Sequence, residues 1–274
     1  MKKVLIFGAN SLLTAYLLQQ HSEDHVSVVY HSQPSRLTDK NHPLSDFKKI
    51  DQNQDVVYIL SALISNDPEQ LDNILNINIL LIKNITEHFA NSKIVYFSSV
   101  AIYDGIHSGT INNGTTPSPS SLYGLSKLFA EKIVEKCSKY AILRISSIYG
   151  LSMKENTFLP KIVSSAIENN KIELLGKGDR KQNYIHAEDV ARLAKKLSLD
   201  DKNKIILAIS PDNYTNLEIA DFIKELTGCE IIFHGKDFSR SIEYFENDPT
   251  VRSHAFIPIK QGLKELIEWK KKEF

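Results

Sequence analysis

Several things are scarce in this chain, and each scarcity removes a class of answer. Only two cysteines occur in 274 residues, Cys137 and Cys229, and neither sits in metal-type spacing. A disulfide scaffold and a thiolate metal site are therefore not expected; two unpaired thiols in a reducing cytoplasm are. Net charge is missing too, since 33 basic residues are balanced by 33 acidic ones. That balance argues against a nucleic acid or an anionic membrane as partner. No run approaches the ~18 apolar residues of a membrane span. Lys2-Lys3 before Val4-Leu5-Ile6-Phe7 imitates a secretory leader, but Gly8, Asn10 and Ser11 break the apolar run and no small-residue cleavage site follows. Glycine is sparse as well, with 11 in the whole chain.

What is present is a rhythm. Residues 4–7, 26–30, 56–60, 94–97 and 141–145 are continuous apolar runs of strand length, the mark of a parallel sheet covered on both faces. Residues 11–20, 68–89 and 121–137 lie between them with helical periodicity. The alternation predicts an α/β fold, a doubly wound parallel sheet. Ligands bind such a sheet at the carboxyl ends of its strands, where Gly8, Ser61 and Ser99 fall. After Gly150 the pattern loosens into a helix over 158–168, a charged loop over 176–182, a strand-to-helix unit over 184–197 and a strand over 205–209. A helix over 216–226 follows, with Thr215 as cap and Gly228 as stop, then a charged terminal helix over 260–273. The expected division is a nucleotide-binding core over 1–150, completed by about 183–210, and a smaller, mainly C-terminal substrate-binding region over 151–182 and 211–274.

Of 11 tyrosines, only Tyr123 is followed by a lysine four positions on, Lys127. On a helix that spacing puts the phenol and the ammonium on one face. A neighbouring cation is expected to lower the phenol from its usual value near ~10, making it a proton donor or acceptor near neutrality. Ser99, at the end of an apolar strand, is placed to hold a substrate oxygen against that phenol. The chemistry expected is hydride transfer to or from a carbonyl.

The turn between the first strand and first helix reads Phe7-Gly8-Ala9-Asn10-Ser11-Leu12-Leu13-Thr14. A helix N-terminus here would attract a pyrophosphate, with Gly8, Asn10, Ser11 and Leu12 as contacts. Only one glycine remains of the usual three; Ser11 and Thr14 stand in the other places. At the end of the second strand no acid is present to bind the ribose of NAD. His31, Ser32 and Arg36 instead offer a seat for a further phosphate, which favours NADP(H) over NAD(H).

Further segments complete a set. Asp55 to Ala62 ends in Leu60-Ser61-Ala62, placed to line a cofactor; Val95 to Tyr103 delivers Ser99; Leu143 to Gly150 carries Ser147; and Gly176 to Val190 holds Arg180 and Gln182. With Tyr123 and Lys127, these segments resemble the extended short-chain dehydrogenase/reductase family, in its nucleotide-sugar-modifying epimerase/dehydratase branch, over nearly the whole chain. The resemblance implies a Rossmann-type core. It implies Tyr123 as general acid or base, Lys127 as the residue that tunes it and binds the nicotinamide ribose, and Ser99 as the residue that orients the substrate oxygen. It also implies Ser147 at the nicotinamide, with Ser99, Ala101, Arg180 and Gln182 at the substrate. Where the branch usually offers arginine then aspartate for the diphosphate, this chain has Gln182 and Asn183, leaving Arg180, Lys177 or Lys181 to take the contact.

These readings favour reduction of the 4-keto group of a deoxy nucleoside-diphosphate sugar, because a loop that grips its cofactor loosely suits an enzyme that exchanges it each turnover. A nucleotide-sugar 4-epimerase with NAD held throughout is the alternative, and an NADP-binding regulator without catalysis is a second. A homodimer through the helices at 68–89 and 121–137 is carried over from the resemblance. A metal at His21 and His25 is not expected, His186 is expected to pack at a strand end, and Trp269 belongs to an amphipathic terminal helix.

Overall fold

The first strand, β1 (Lys3–Phe7), is apolar at every buried position and so must be covered on both faces. In a computed structural model, which describes residues 1–272, it lies inside a seven-stranded parallel sheet. The other strands of that sheet are β2 (His25–Tyr30), β3 (Asn41–Pro43), β4 (Val56–Ile59), β5 (Lys93–Ser99), β7 (Tyr140–Ile145) and β11 (Lys204–Ala208), in the order β11-β7-β5-β4-β1-β2-β3. The two-residue β6 (Thr110–Ile111) lies outside it. The order reverses between β1 and β4, which leaves a crevice beyond their carboxyl ends.

Alternate residues of each strand feed two cores. Val4, Ile6, Val56, Tyr58, Val95 and Phe97 face α1 (Leu12–Gln20) and α5 (Ala187–Ser198), which pack on each other. Leu5, Phe7, Val57, Ile59, Ile94 and Tyr96 face Ile82 and Ile85 of the helical stretch 68–88, called α2, and Ala130 and Val134 of α3 (Leu122–Val134). Thus the strands read as unbroken apolar runs because neither face meets water. A π-turn over Leu75–Leu80 interrupts α2 and turns the buried Asn78 inward. Its amide holds the amide and carbonyl of Leu63 at 2.8 and 2.9 Å and donates to the Ser126 hydroxyl at 2.9 Å.

The remaining elements form smaller units. β8 (Ser147–Tyr149), β10 (Lys181–His186) and β12 (Asn213–Thr215) form a small sheet, while β9 (Lys171–Leu175) pairs with β13 (Glu230–His234) and β14 (Glu243–Tyr244) with β6. α4 (Phe158–Glu168), α6 (Asn216–Thr227), the single turn α7 (Pro249–Arg252) and α8 (Ile259–Lys270) complete the order. Leu159, Ile162, Ile219, Ile223, Leu263 and Leu266 give α4, α6 and α8 their own shared core. Thr215 caps α6 through a reciprocal pair with Glu218, and Gly228 ends it, both as expected.

Some boundaries differ from the sequence reading. The strand β3 was not foreseen, since Asn41-His42-Pro43 has no apolar pattern; the Asn41 side chain folds the loop before it through the Ser35 and Thr38 backbone. The charged loop over 176–182 is shorter, because Lys181 and Gln182 already belong to β10. The terminal helix ends at Lys270, and Glu273 lies outside the described residues. Trp269 packs against the α4–α6–α8 core. His21 bonds Asp24 and Tyr58, and His186 packs edge-on against Tyr16 and Tyr149. Among the described residues no helix is long and apolar enough to cross a membrane.

Candidate active site

The crevice between β1 and β4 opens into a cavity of about 860 Å³. Its floor begins at Gly8, whose φ is 113°; a Cβ there would stand 2.9 Å from the Leu60 Cβ and 3.3 Å from the Ser61 nitrogen. Only glycine fits both the conformation and the space. The result is a backbone cradle facing the first turn of α1, the arrangement a pyrophosphate requires. Ser11 and Thr14 are working replacements for the missing glycines. The Ser11 hydroxyl caps α1 by accepting from the Leu13 amide at 3.4 Å, and the Thr14 hydroxyl donates to the Gly8 carbonyl at 2.7 Å. Asn10 donates to the Gln33 carbonyl at 2.8 Å and so ties this turn to the loop after β2.

At the other end of the crevice, Ser99 closes β5 and its hydroxyl caps the tight turn Val100–Tyr103, accepting from the Ala101 amide at 3.1 Å. The next helix, α3, starts at Ser121, which accepts from the Gly124 amide at 3.0 Å. Gly124 lets α3 press onto that turn, since a Cβ would meet the Ala101 carbonyl oxygen at 2.5 Å. This close approach brings Tyr123 beside Ser99, near enough for the serine hydroxyl to act on the phenol. One helical turn on, the Lys127 ammonium donates to the Phe97 carbonyl at 2.7 Å and lies over the Tyr96 ring at 4.7 Å.

The expected electrostatics need correction. Burial pushes the Tyr123 phenol up to about 12, with the neighbouring Ser99 hydroxyl opposing. Burial also brings the Lys127 ammonium down to about 7, with Glu131 opposing. The ammonium stands 5.8 Å from the Tyr123 ring centre and is turned to a backbone carbonyl, so desolvation of the phenol prevails over attraction.

Of the residues predicted for the cofactor, Gly8, Asn10, Ser11, Leu12, His31, Ser32, Leu60, Ser61, Ala62 and Ser147 line this one cavity, together with Tyr123 and Lys127. Ser99, Arg180 and Gln182, predicted for the substrate, line it as well. Two do not. Arg36 lies outside the lining because Asn41 bends its loop away after Ser35. Ala101 also lies outside, its carbonyl facing Gly124. Lys181 is ion-paired to Glu243 and Lys177 is not in the lining, so Arg180 remains of those three cations. Its Nε donates to the Arg240 carbonyl at 3.2 Å. Asn183 is structural: buried, it bonds Ser146 at 2.8 Å and the Ser210 and Asp212 carbonyls at 2.9 Å.

Sequence reasoning missed Lys154, Thr157, Phe158 and Tyr184, which also line the cavity. Tyr184 was within reach, since it follows Gln182 by two residues on one face of β10. The loop carrying Lys154 had no such pattern. Among the described residues, the lining contains lysine and arginine but no aspartate or glutamate.

Comparison with known proteins agrees with this geometry. Residues 4–207 match the family model described as the NAD dependent epimerase/dehydratase family. The chain is 23% identical to a GDP-6-deoxy-D-talose 4-dehydrogenase of Aggregatibacter actinomycetemcomitans, over 90% of this chain and 85% of that one. It is 24% identical to a dTDP-D-glucose 4,6-dehydratase of Bos taurus over 66% of its own length, and spans 56% of that relative. In fold it resembles a UDP-glucuronic acid 4-epimerase from Bacillus cereus in complex with UDP-glucuronic acid and NAD, at TM-score 0.85 and 19% identity over 99% of this chain and 100% of the other.

Proposed function

The chain belongs to the NAD-dependent epimerase/dehydratase family, and from that premise we propose that it reduces the 4-keto group of a deoxy nucleoside-diphosphate sugar, with Tyr123 as the acid. The observation that carries this reading is that Ser99, Tyr123 and, one helical turn on, Lys127 line the same cavity, which reaches from the Gly8 cradle to Arg180.

When bound, a nicotinamide dinucleotide supplies or accepts the hydride. Its pyrophosphate suits the Gly8–Leu12 cradle, its ribose the region of His31 and Ser32, and Ser147 and Lys127 its nicotinamide end. Tyr123 keeps its proton at neutral pH, which is the state a proton donor needs when a carbonyl oxygen becomes an alkoxide. Ser99 donates a hydrogen bond to that oxygen and stabilises the developing charge. Arg180 faces the diphosphate in place of the residue at Gln182. Arg180 just precedes β10 and lines the cavity with Gln182, which is already committed to Tyr184 and Asn216 at 2.9 and 2.8 Å.

The name of the relative matched over 90% of this chain, a 4-dehydrogenase, supports chemistry at C4. Elimination of water would need a further acid or base beside the sugar, and a lining without carboxylates speaks against it. A 4-epimerase is the second reading, favoured by the structural neighbour that holds NAD. For the cofactor, the lack of an acid after β2 supports NADP(H) through His31 and Ser32, while the NAD in that neighbour supports NAD(H). Exposed Leu71, Leu75 and Leu80 on α2 with Leu125 and Phe129 on α3 support a homodimer through those helices. The free thiols Cys137 and Cys229 suit a reducing cytoplasm.

The test is incubation with NADPH or NADH and a panel of 4-keto nucleotide sugars, following loss of the reduced nicotinamide. Turnover should fall about 10²–10⁴-fold in Tyr123→Phe. Purified protein that keeps NAD(H) through desalting and interconverts two sugars with no net cofactor use would replace reductase by epimerase. Cofactor binding without turnover of any candidate would leave the regulator.

A further inference from the structure

Behind the reacting face of α3 lies a group that the reaction as described does not use. Glu131 is completely buried, one helical turn beyond Lys127 and two beyond Tyr123 on the same face. Its carboxylate accepts from the Ser98 hydroxyl at 2.6 Å and from Arg144 Nη2 at 2.8 Å and Nε at 3.1 Å. Arg144, nearly as buried, spends Nη1 on the Tyr103 hydroxyl at 2.7 Å.

We propose that Glu131 and Arg144 act together as a positioning device, which holds the Lys127 ammonium at the nicotinamide end of the cavity and fixes it relative to Ser99 and Tyr123. The proposal rests on the oxidoreductase reading for its purpose but not for its geometry. Every element that delivers a reacting group is tied to this one pair. Ser98 precedes Ser99 on β5, Tyr103 ends the turn that Ser99 caps, and Glu131 shares α3 with Tyr123 and Lys127. A buried ion pair is a poor device for stability, since an apolar pair of similar volume often serves as well or better. Its use here lies in orientation and charge. The titratable groups around Lys127 are Tyr123 and Glu131 on its own helix and Tyr96 on β5, with Arg144 on β7 and Tyr103 joined through Glu131. Of these, Glu131 is the group that opposes the loss of the lysine's proton to burial.

The experiment reads Lys127 itself. In full-length protein labelled at lysine Cε, the Lys127 signal is identified by its loss in Lys127→Met, and its titration is followed in wild type, Glu131→Gln and Glu131→Gln/Arg144→Met. The single variant leaves a buried guanidinium unpaired and risks misfolding; the double variant removes both charges and should fold. In folded Glu131→Gln the titration should move to lower pH, by about one unit, and in the double variant the same way by less, since a positive charge leaves with Arg144. The pH at which carbonyl reduction falls off should move the same way. A folded double variant with Lys127 titrating as in wild type would overturn the assignment. So would a double variant that fails to fold, since the pair would then be a staple of the fold. A shifted titration in protein without turnover would uphold the device and count against the oxidoreductase reading instead.

Discussion

The two walls of the cavity are built by different means. On the cofactor side, Gly8, Ser11 and Leu60 are placed by backbone: adjacent parallel strands in register, a glycine with a left-handed φ, and the first turn of a helix. On the other side, Arg180 and Gln182 are held by side-chain bonds as well as by the strand, with the buried Asn183 anchoring the strand beneath them. Arg180 leans on the Arg240 carbonyl, Gln182 on Asn216, and Asn183 on the loop at 210–212. A wall made of backbone tolerates exchange of side chains, which is how Ser11 and Thr14 stand in for glycines. A wall made of side chains can be respecified one contact at a time. The contrast predicts that changes on the first wall strike cofactor binding whatever the sugar, and changes on the second strike the sugar alone.

Gly8→Val should show the largest effect on either wall. It puts a branched side chain into a left-handed conformation and against Leu60, and strain of that kind runs to roughly 1–3 kcal/mol. Loss of dinucleotide affinity on the order of 100-fold is expected by calorimetry. Unaltered affinity would mean that the cradle is not where the pyrophosphate lies. Arg180→Ala comes next: KM for the nucleotide sugar should rise about 10-fold or more, as fits one charge-assisted hydrogen bond, with dinucleotide affinity unchanged. A fall in cofactor affinity instead would erase the division between the walls.

A third expectation concerns the seam where the walls meet. Carbonyl reduction needs Tyr123 protonated, and at about 12 it remains so across the neutral range. Lys127 titrates near about 7, so its charge is present below that pH and is lost above it. Reduction should therefore weaken as pH rises through neutrality, by roughly 10-fold if the charge is worth one pKa unit to the transition state. Oxidation of the alcohol needs the phenol deprotonated and should climb with pH instead. Parallel profiles in the two directions would separate the pH dependence from these side chains.

The same contrast explains what could be read in the sequence. Parallel strands buried on both faces leave continuous apolar runs, and helix caps such as Ser11, Ser121 and Thr215 leave local signals, so the sheet and the Tyr123–Lys127 helix were legible. Ser99 was legible because a strand end in this fold is a site by construction. β3 was not, since it is held by the Asn41 side chain rather than by an apolar pattern. Glu131 repeated the four-residue spacing of Tyr123 and Lys127, but its partners Ser98 and Arg144 lie on other strands and no local rule joins them. The depressed phenol was misjudged for the same reason: spacing reports a neighbour's charge, while burial depends on the whole fold.

Arg36 is the smallest test and the one aimed most closely at the backbone wall. A sequence lacking an acid after β2 invites its nearest cation to take the further phosphate of NADP. Asn41, however, binds the Ser35 amide at 2.8 Å and its carbonyl at 3.1 Å, and this pins the loop just before Arg36 while the arginine stays exposed and outside the lining. His31 and Ser32 remain at the cavity edge. Arg36→Ala should therefore change the ratio of NADP to NAD affinity by less than about twofold, in line with an exposed charge worth little through water. His31→Asp should move the same ratio toward NAD, because a carboxylate there repels a phosphate and accepts from the ribose hydroxyls. If Arg36→Ala instead shifts the ratio strongly while His31→Asp leaves it alone, the loop must move on binding. Side chains would then reshape this edge of the cofactor wall as they do the substrate wall.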